Sequence, residues 1–203
     1  MAFRSRNYLS TDIQNVEPIV KLWILRLLVP LECHRRFIGK HGIESEELAA
    51  LFDLTVDADP DDESDTAYNP TAFRTQLKNC YRKAELDASA VALPQPLADN
   101  LAQLADHIGL SEVECWILAF AVMLRSYRLL DDTADWLGSE LNGLRIYHVL
   151  SVLLGFSESD IRQALSSQST LSQTSLVAMD SHRNSLGRQF DVLSGSFADR
   201  LMT

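Results

Sequence analysis

The chain has 203 residues, of which 46% are hydrophobic and 23% charged, so it is typical of a folded globular protein rather than a disordered one. Its formal net charge is −10, which disfavours strong non-specific binding to nucleic acid, because that binding requires lysine and arginine to neutralise phosphates. This length allows one compact domain or two small ones.

Cysteine usage and hydropathy indicate the compartment. Cys33, Cys80 and Cys115 lie far apart and form no C-x-x-C pair, which disfavours a disulfide scaffold or a cysteine zinc site and favours a reducing compartment. No apolar segment of a signal peptide directly follows the charged start. The longest charge-free apolar runs are about ten residues, too short to span a bilayer. We therefore expect a soluble, cytoplasmic protein.

The charge is unevenly distributed along the chain. Residues 44–65 carry ten acidic residues and no basic residue, which equals the whole net charge. Residues 1–43 carry seven basic and three acidic residues. A local basic surface in the first part of the chain is therefore compatible with the acidic total.

The first part of the chain is predicted to be helical. Residues 16–40 have near-helical apolar spacing, and Pro30 should kink or split this helix. A short amphipathic helix follows over 45–54, with Ser45 as its N-cap. Residues 55–68 are acidic and poor in apolar groups, so they are predicted to form an exposed loop.

A third helix is predicted over 70–86, with Asn69 as N-cap and Pro70 at its first position. Two stripes of side chains recur at four-residue spacing along it: Phe73, Leu77 and Tyr81 form the apolar stripe, and Arg74, Lys78 and Arg82 form the basic stripe. The basic stripe is either a solvated helix face or a docking surface for an acidic partner, which includes the chain's own acidic loop.

The small, proline-bearing residues 87–96 are the best linker candidate. They place a domain boundary near residue 90. The N-terminal helical subdomain is then 1–90, with the acidic loop 55–68, and the second helical domain is 91–203.

Helices are predicted in the second domain at 97–108, 111–130 and 140–154. The helix over 111–130 is apolar almost all round and should be the central core helix. Residues 130–143 are predicted to be a polar connection.

The last part of the chain, 145–203, has the element order of a winged helix. A helix over 157–165 follows the one that ends at 154, and residues 166–175 are either a short helix or a loop. Two short strands, 176–179 and 189–193, are joined by the turn-rich SHRNSLGR. The predicted fold is therefore mostly α: a helical bundle followed by a winged-helix-like α+β unit with two short strands.

One local pattern occurs three times: HGIESEEL (41–48), IGLSEVEC (108–115) and LGFSESDI (154–161). It predicts a helix that ends at a left-handed glycine, an apolar residue, and a serine N-cap with acids in the first turn of the next helix.

Catalytic signatures are sparse. The sequence contains no G-x-x-x-x-G-K-[ST], G-x-G-x-x-G, H-E-x-x-H or G-x-S-x-G, and its five histidines lack metal-ligand spacing. We expect no cofactor, no metal and no catalytic residue. Two D-D-x-x-D clusters, 61–65 and 131–135, support an alternative in which the chain is an enzyme. In a helix, the aspartates of such a cluster could bridge Mg²⁺ ions that hold a diphosphate. That enzyme hypothesis predicts two clusters that face each other across an apolar cavity.

A nucleic-acid-binding winged helix is the other alternative. It predicts salt-dependent affinity and four arginines on one face: Arg145, Arg162, Arg183 and Arg188. However, its recognition segment at 166–175 contains no arginine or lysine. The helix-turn-helix-like stretch 101–118 has an apolar second helix, which is predicted to be core.

Two stretches carry a resemblance to a known family. LWILRLLVPLECHRRFIGKHGIESEELAALFDL (22–54) resembles the opening of a group of bacterial AAA+ ATPases that have a long helical region before the ATPase core. The stretches 97–124 and 150–180, together with the closing FDVLSGSFADRLM, resemble the later, winged-helix-like part of that region. The Walker motifs of the ATPase core are absent from this chain. The resemblance implies a non-catalytic N-terminal region that recruits partners or substrates and helps assembly.

The leading hypothesis is therefore a regulatory or adaptor region that works through protein–protein contacts. Its partners are expected to be proteins, among them an ATPase core of the same polypeptide, rather than a membrane. The candidate partner-binding residues are Arg74, Lys78 and Arg82 in the basic stripe, and Asp57, Asp59, Asp61, Asp62 and Asp65 in the acidic loop.

Overall fold

The computed structural model describes residues 16–39, 42–55, 69–138, 143–179, 186–192 and 194–203. These residues are mostly helical, which confirms the predicted fold class. The chain divides into two compact units between Val91 and Ala92, next to the boundary predicted near residue 90. Each unit has its own buried core.

The first unit is built on two helices that pack against each other. Its helices are α1 (Pro18–Leu28), α2 (His34–Phe37), α3 (Glu46–Leu51) and α4 (Pro70–Leu86), and a 3₁₀ turn follows at Ala88–Ala90. The apolar residues of α1 are buried, and the helix lies against α4. The apolar run over 16–40 is interrupted at residues 29–33, as expected for Pro30, which cannot continue the hydrogen-bond ladder.

The second unit surrounds one apolar helix. Its elements are α5 (Gln95–Ile108), α6 (Glu112–Ser126), α7 (Arg128–Asp135), α8 (Gly143–Leu154), α9 (Glu158–Ala164), α10 (Thr170–Gln173), β1 (Val177–Met179), α11 (Leu186–Gln189), β2 (Phe190–Val192) and α12 (Gly195–Leu201). The strands pair antiparallel, with Ala178 opposite Asp191. Every residue from Ile117 to Leu124 of α6 is buried, and eight other described elements pack on this helix. The predicted core helix is therefore the centre of the unit.

All three predicted serine caps are present. Ser45, Ser111 and Ser157 each accept a hydrogen bond from a backbone N–H in the first turn of the following helix. Gly109 and Gly155 have the expected left-handed conformation, with φ of 76° and 81°.

The first of the three corners differs from the prediction. No helix ends at Gly42, because α2 already ends at Phe37. Gly42 instead accepts a hydrogen bond from the Gly39 N–H at 2.9 Å, beside a bridge between Ile38 and Ile43. The sequence motif is shared, but at this corner the serine cap follows the Ile38–Ile43 bridge rather than the end of a helix.

The predicted single helix over 111–130 is wrong. It breaks at Tyr127, which has an extended conformation with φ −111° and ψ 107°. The Ser126 hydroxyl donates to the Val122 carbonyl at 2.9 Å, a local bond that is common where helices bend or end. The predicted polar connection 130–143 is consequently wrong over residues 130–135, because α7 occupies Arg128–Asp135 and packs its buried side against α6. Residues 139–142 of this connection lie outside the described part of the chain.

Three further boundaries differ from the predictions. Helix α5 starts at Gln95, inside the predicted linker 87–96, because Pro96 is accommodated in its first turn. The helix α11 takes up residues 186–188 of the predicted turn SHRNSLGR and Gln189 of the second predicted strand. The helix α12 was not predicted; Ser194 caps it by accepting from the Phe197 N–H at 3.1 Å.

Candidate partner-binding surface

The candidate surface lies on α4, whose start is determined locally. The side chain of Asn69 accepts hydrogen bonds from the N–H groups of Thr71 and Ala72, at 3.0 and 3.1 Å. Pro70 occupies the first helical position, where its missing N–H costs nothing. The helix therefore begins at the residue that the sequence predicted.

The apolar side of α4 is buried within the first unit. Phe73 and Leu77 are 2% and 1% exposed. The ring of Phe73 lies 5.8 Å from that of Phe37, at an angle of 60°, which is favourable aromatic packing. This contact fixes the rotation of the helix about its axis, so the opposite side faces solvent.

An ion pair ties the last turn of α4 to α1. The Arg26 guanidinium donates to both carboxylate oxygens of Glu85, at 2.7 and 3.0 Å. The hydrogen bond from Arg26 holds the pKa of Glu85 below its ordinary value. Burial, and after it the charge of Glu85, raises the pKa of Tyr81 above its ordinary value. Glu85, the one acidic residue of α4, is therefore already paired with Arg26.

The three residues of the predicted basic stripe, Arg74, Lys78 and Arg82, are all exposed, and we call them the cationic row. Lys83 is exposed next to them. None of these four cations forms an ion pair with any residue that the structure describes. Four helical residues rise about 6 Å, so the row presents three positive charges at that spacing.

The row continues to an exposed hydrophobic residue that the sequence analysis did not single out. Leu86 lies four residues beyond Arg82, at the end of α4, and is 84% exposed. The signal was available in the sequence, because the same four-residue spacing that groups the cations reaches Leu86. It was missed because only charge was followed along that stripe.

The predicted partner-binding residues of the acidic loop lie outside the described residues. They are Asp57, Asp59, Asp61, Asp62 and Asp65. Of the two predicted groups of partner-binding residues, the structure therefore places only the cationic row. That the acidic loop lies close to this row stays a prediction.

In its described residues, the winged-helix-like part shows two of the four predicted arginines and a short third helix. Its third helix, α10, is a single turn, and its hydroxyls are used locally: Ser169 caps α10, and Thr174 donates to the Thr170 carbonyl at 2.6 Å. Of the four predicted arginines, Arg162 is exposed and stacks over the Tyr147 ring at 4.9 Å, while Arg145 is half-buried. Arg183 and the side chain of Arg188 lie outside the described residues.

The second aspartate cluster lies in α7 and is divided between core and solvent. Asp131 is 6% exposed, whereas Asp132 is exposed and pairs with Arg128 at 3.0 Å. Asp135 is exposed. In the described part of the chain, no group of three histidine, cysteine, aspartate or glutamate side chains is placed to hold a metal ion. The 61–65 cluster lies outside that part, so the predicted facing pair is untested.

A polar cleft of about 360 Å³ lies between the start of α6 and the α9–α10 turn. Its buried acid is Glu114, whose carboxylate accepts from the Ser111 N–H at 2.8 Å, the Ser111 hydroxyl at 2.9 Å and the Leu171 N–H at 3.1 Å. Its other acid, Asp160, accepts from the Ser157 hydroxyl. Both carboxylates therefore stabilise helix starts.

No family model, curated protein or solved structure matches this chain. None of the described helices combines the length and the apolar composition that crossing a bilayer requires.

Proposed function

We propose that this chain is a non-catalytic regulatory or adaptor region that acts through protein–protein contacts in the cytoplasm, in association with a bacterial AAA+ ATPase. The observation that carries the proposal is the cationic row: exposed charges on a helix that its neighbouring apolar stripe anchors in the first unit, with no described counter-charge. The row would bind an acidic protein surface, and the acidic residues 57–65 would serve contacts with cationic surfaces.

The geometry favours protein docking over the two alternatives. The segment that would read DNA in a winged helix is one turn without a cation. The described aspartate cluster has one acid buried and two exposed, which is not the arrangement of a shared metal site. The row, by contrast, requires no rearrangement to meet an acidic partner.

The docking role is tested with two matched charge reversals in the full chain. Lys78→Glu with Arg82→Glu changes the row, and Arg35→Glu with Arg36→Glu changes the same number of exposed charges on α2. Proteins retained from a bacterial extract at low salt are quantified for each. The proposal expects acidic proteins, an AAA+ core among them, to be retained by the natural chain and the α2 variant and lost from the row variant. An unchanged set of retained proteins contradicts it.

The association with an ATPase has its own test. The reading frame beyond Thr203 is sequenced in the source genome. A continuation that contains G-x-x-x-x-G-K-[ST] supports the region of an ATPase. A stop codon contradicts that part of the proposal and leaves the docking role to be decided by the charge reversals.

A further inference from the structure

We infer that the cationic row and Leu86 form one composite site, which binds a short acidic protein segment that carries a large apolar residue next to its acids. The inference rests on the proposed function and adds the chemistry of the partner. Its basis is the continuous four-residue spacing of Arg74, Lys78, Arg82 and Leu86 on one helix.

The spacing of the site matches an extended peptide. From Arg74 to Leu86 the helix rises about 18 Å in three steps of about 6 Å. Alternate residues of an extended strand recur on the same side every ~6.5 Å. Three acids at alternate positions, followed two residues later by an apolar residue, therefore fit the row in register. Successive positions also turn about 40° round the helix axis, which is about 120° from Arg74 to Leu86. The bound segment must therefore curve round the helix, and the long arginine and lysine side chains take up part of this offset.

The apolar end of the site selects a protein segment rather than a nucleic acid. Among the large hydrophobic residues that the structure describes, only Leu86 and Ile108 are exposed, at 84% and 36%. A phosphate backbone offers nothing apolar to cover Leu86. The net charge of −10 also repels a long polyanion, whereas a short acidic segment interacts mainly with the nearby row.

The site is preorganised at both ends. Asn69 caps the helix before the row, and the Arg26–Glu85 pair holds the turn that carries Leu86. Because Glu85 is engaged by Arg26, it does not neutralise Arg82 from within the helix. The helix backbone that carries the row is therefore ordered before a peptide binds, so its ordering adds no cost to binding.

The test is a titration of the full chain with three labelled synthetic peptides, followed by fluorescence anisotropy at low salt. The probes are GDSDSDSLS, GDSDSDSSS and GKSKSKSLS. The expected order is tightest binding for the first probe, about tenfold weaker binding for the second, and none for the third. Leu86→Ser should remove the difference between the first two probes, and because the side chain is exposed this variant should fold normally, which circular dichroism checks.

Two variants separate the row from the rest of the charge. Lys78→Glu with Arg82→Glu should weaken both acidic probes at least about tenfold, while Arg35→Glu with Arg36→Glu should change neither. Because residues 57–65 carry six acids in the same chain, the titrations are repeated with Asp57, Asp59 and Asp61 replaced by asparagine. A null result then cannot come from competition by these aspartates.

The outcomes separate this inference from the proposed function. If both acidic probes bind equally and Leu86→Ser has no effect, the composite site is overturned while acidic docking at the row stands. If no acidic probe binds the natural or the asparagine chain, both are overturned. If a duplex DNA oligonucleotide binds the row more tightly than the first probe, the inference is overturned in favour of the nucleic-acid alternative.

Discussion

Helices α4 and α6 have similar lengths, 17 and 15 residues, but they are used in different ways. Along α6, every residue from Ile117 to Leu124 is buried, and its neighbours surround it. Along α4, only Phe73 and Leu77 are buried, and the other side presents the cationic row. A helix that is covered on all sides holds a unit together, whereas one that is anchored on a single side can offer the other to a partner.

Each helix also uses one carboxylate to fix its surroundings. Glu114 of α6 is 5% exposed and links the starts of α6 and α10. Glu85 of α4 is 30% exposed and pairs with Arg26 of α1. Substitutions at the buried apolar residues of α6 should therefore lower the stability most. Substitutions at the two carboxylates should have intermediate effects, and substitutions in the row should have small ones.

The largest effect is expected from Phe120→Ala. This ring is fully buried and packs edge-on against Phe190, with centroids 6.3 Å apart. Its removal should cost about 3–5 kcal/mol in the free energy of unfolding of the second unit. Hydrogen exchange of the α6 amides measures this unit separately, and Leu86→Ala serves as an exposed control. A loss below about 1 kcal/mol would contradict the central role of α6.

Glu114→Ala should have the next largest effect. It leaves the buried Leu171 N–H without its acceptor and removes half of the capping box at Ser111, which should cost about 2–3 kcal/mol. The specific readout is the exchange rate of the Leu171 amide, which should rise more than those in α5. Glu112→Ala, an exposed first-turn acid on the same helix, is the control; equal effects at both positions would exclude a link through Glu114.

Glu85→Gln should cost about 1 kcal/mol at neutral pH, because it removes a partly buried ionic partner of Arg26. The folded-state pKa of Glu85 lies below its ordinary value of 4.5, so the stabilisation is complete above that value and is lost as the pH falls through the lowered pKa. The stability difference between Glu85→Gln and the natural chain should therefore shrink as the pH falls below 4.5. A difference that is independent of pH would contradict an ionic contribution.

The smallest effect on stability is expected in the row itself. Lys78→Ala and Arg82→Ala remove exposed charges that pair with no described residue, so each should change the free energy of unfolding by less than about 0.5 kcal/mol. Thermal unfolding of the full chain measures this. A large loss from either variant would show that the row is a structural element rather than a free surface.

The predictions succeeded where a local signal decides the conformation. Asn69-Pro70 determines where α4 starts, and Ser45, Ser111 and Ser157 cap their helices because a side-chain oxygen reaches an N–H only three residues away. They failed at Tyr127, where neither glycine nor proline marks the break and the apolar residues resume at Leu129.

By itself, the sequence determined the mostly helical class, the caps, the core position of α6 and the exposure of the cationic row, because periodicity and short-range hydrogen bonds depend on neighbours a few residues apart. Only the tertiary structure decided that Glu114 meets the Leu171 N–H and that Arg26 meets Glu85, pairs separated by 57 and 59 residues. Whether a glutamate in a helix is buried or exposed therefore depends on whether the fold brings a distant hydrogen-bond donor to its carboxylate. The physical reason is that burying a carboxylate is tolerated only where the fold brings donors to it.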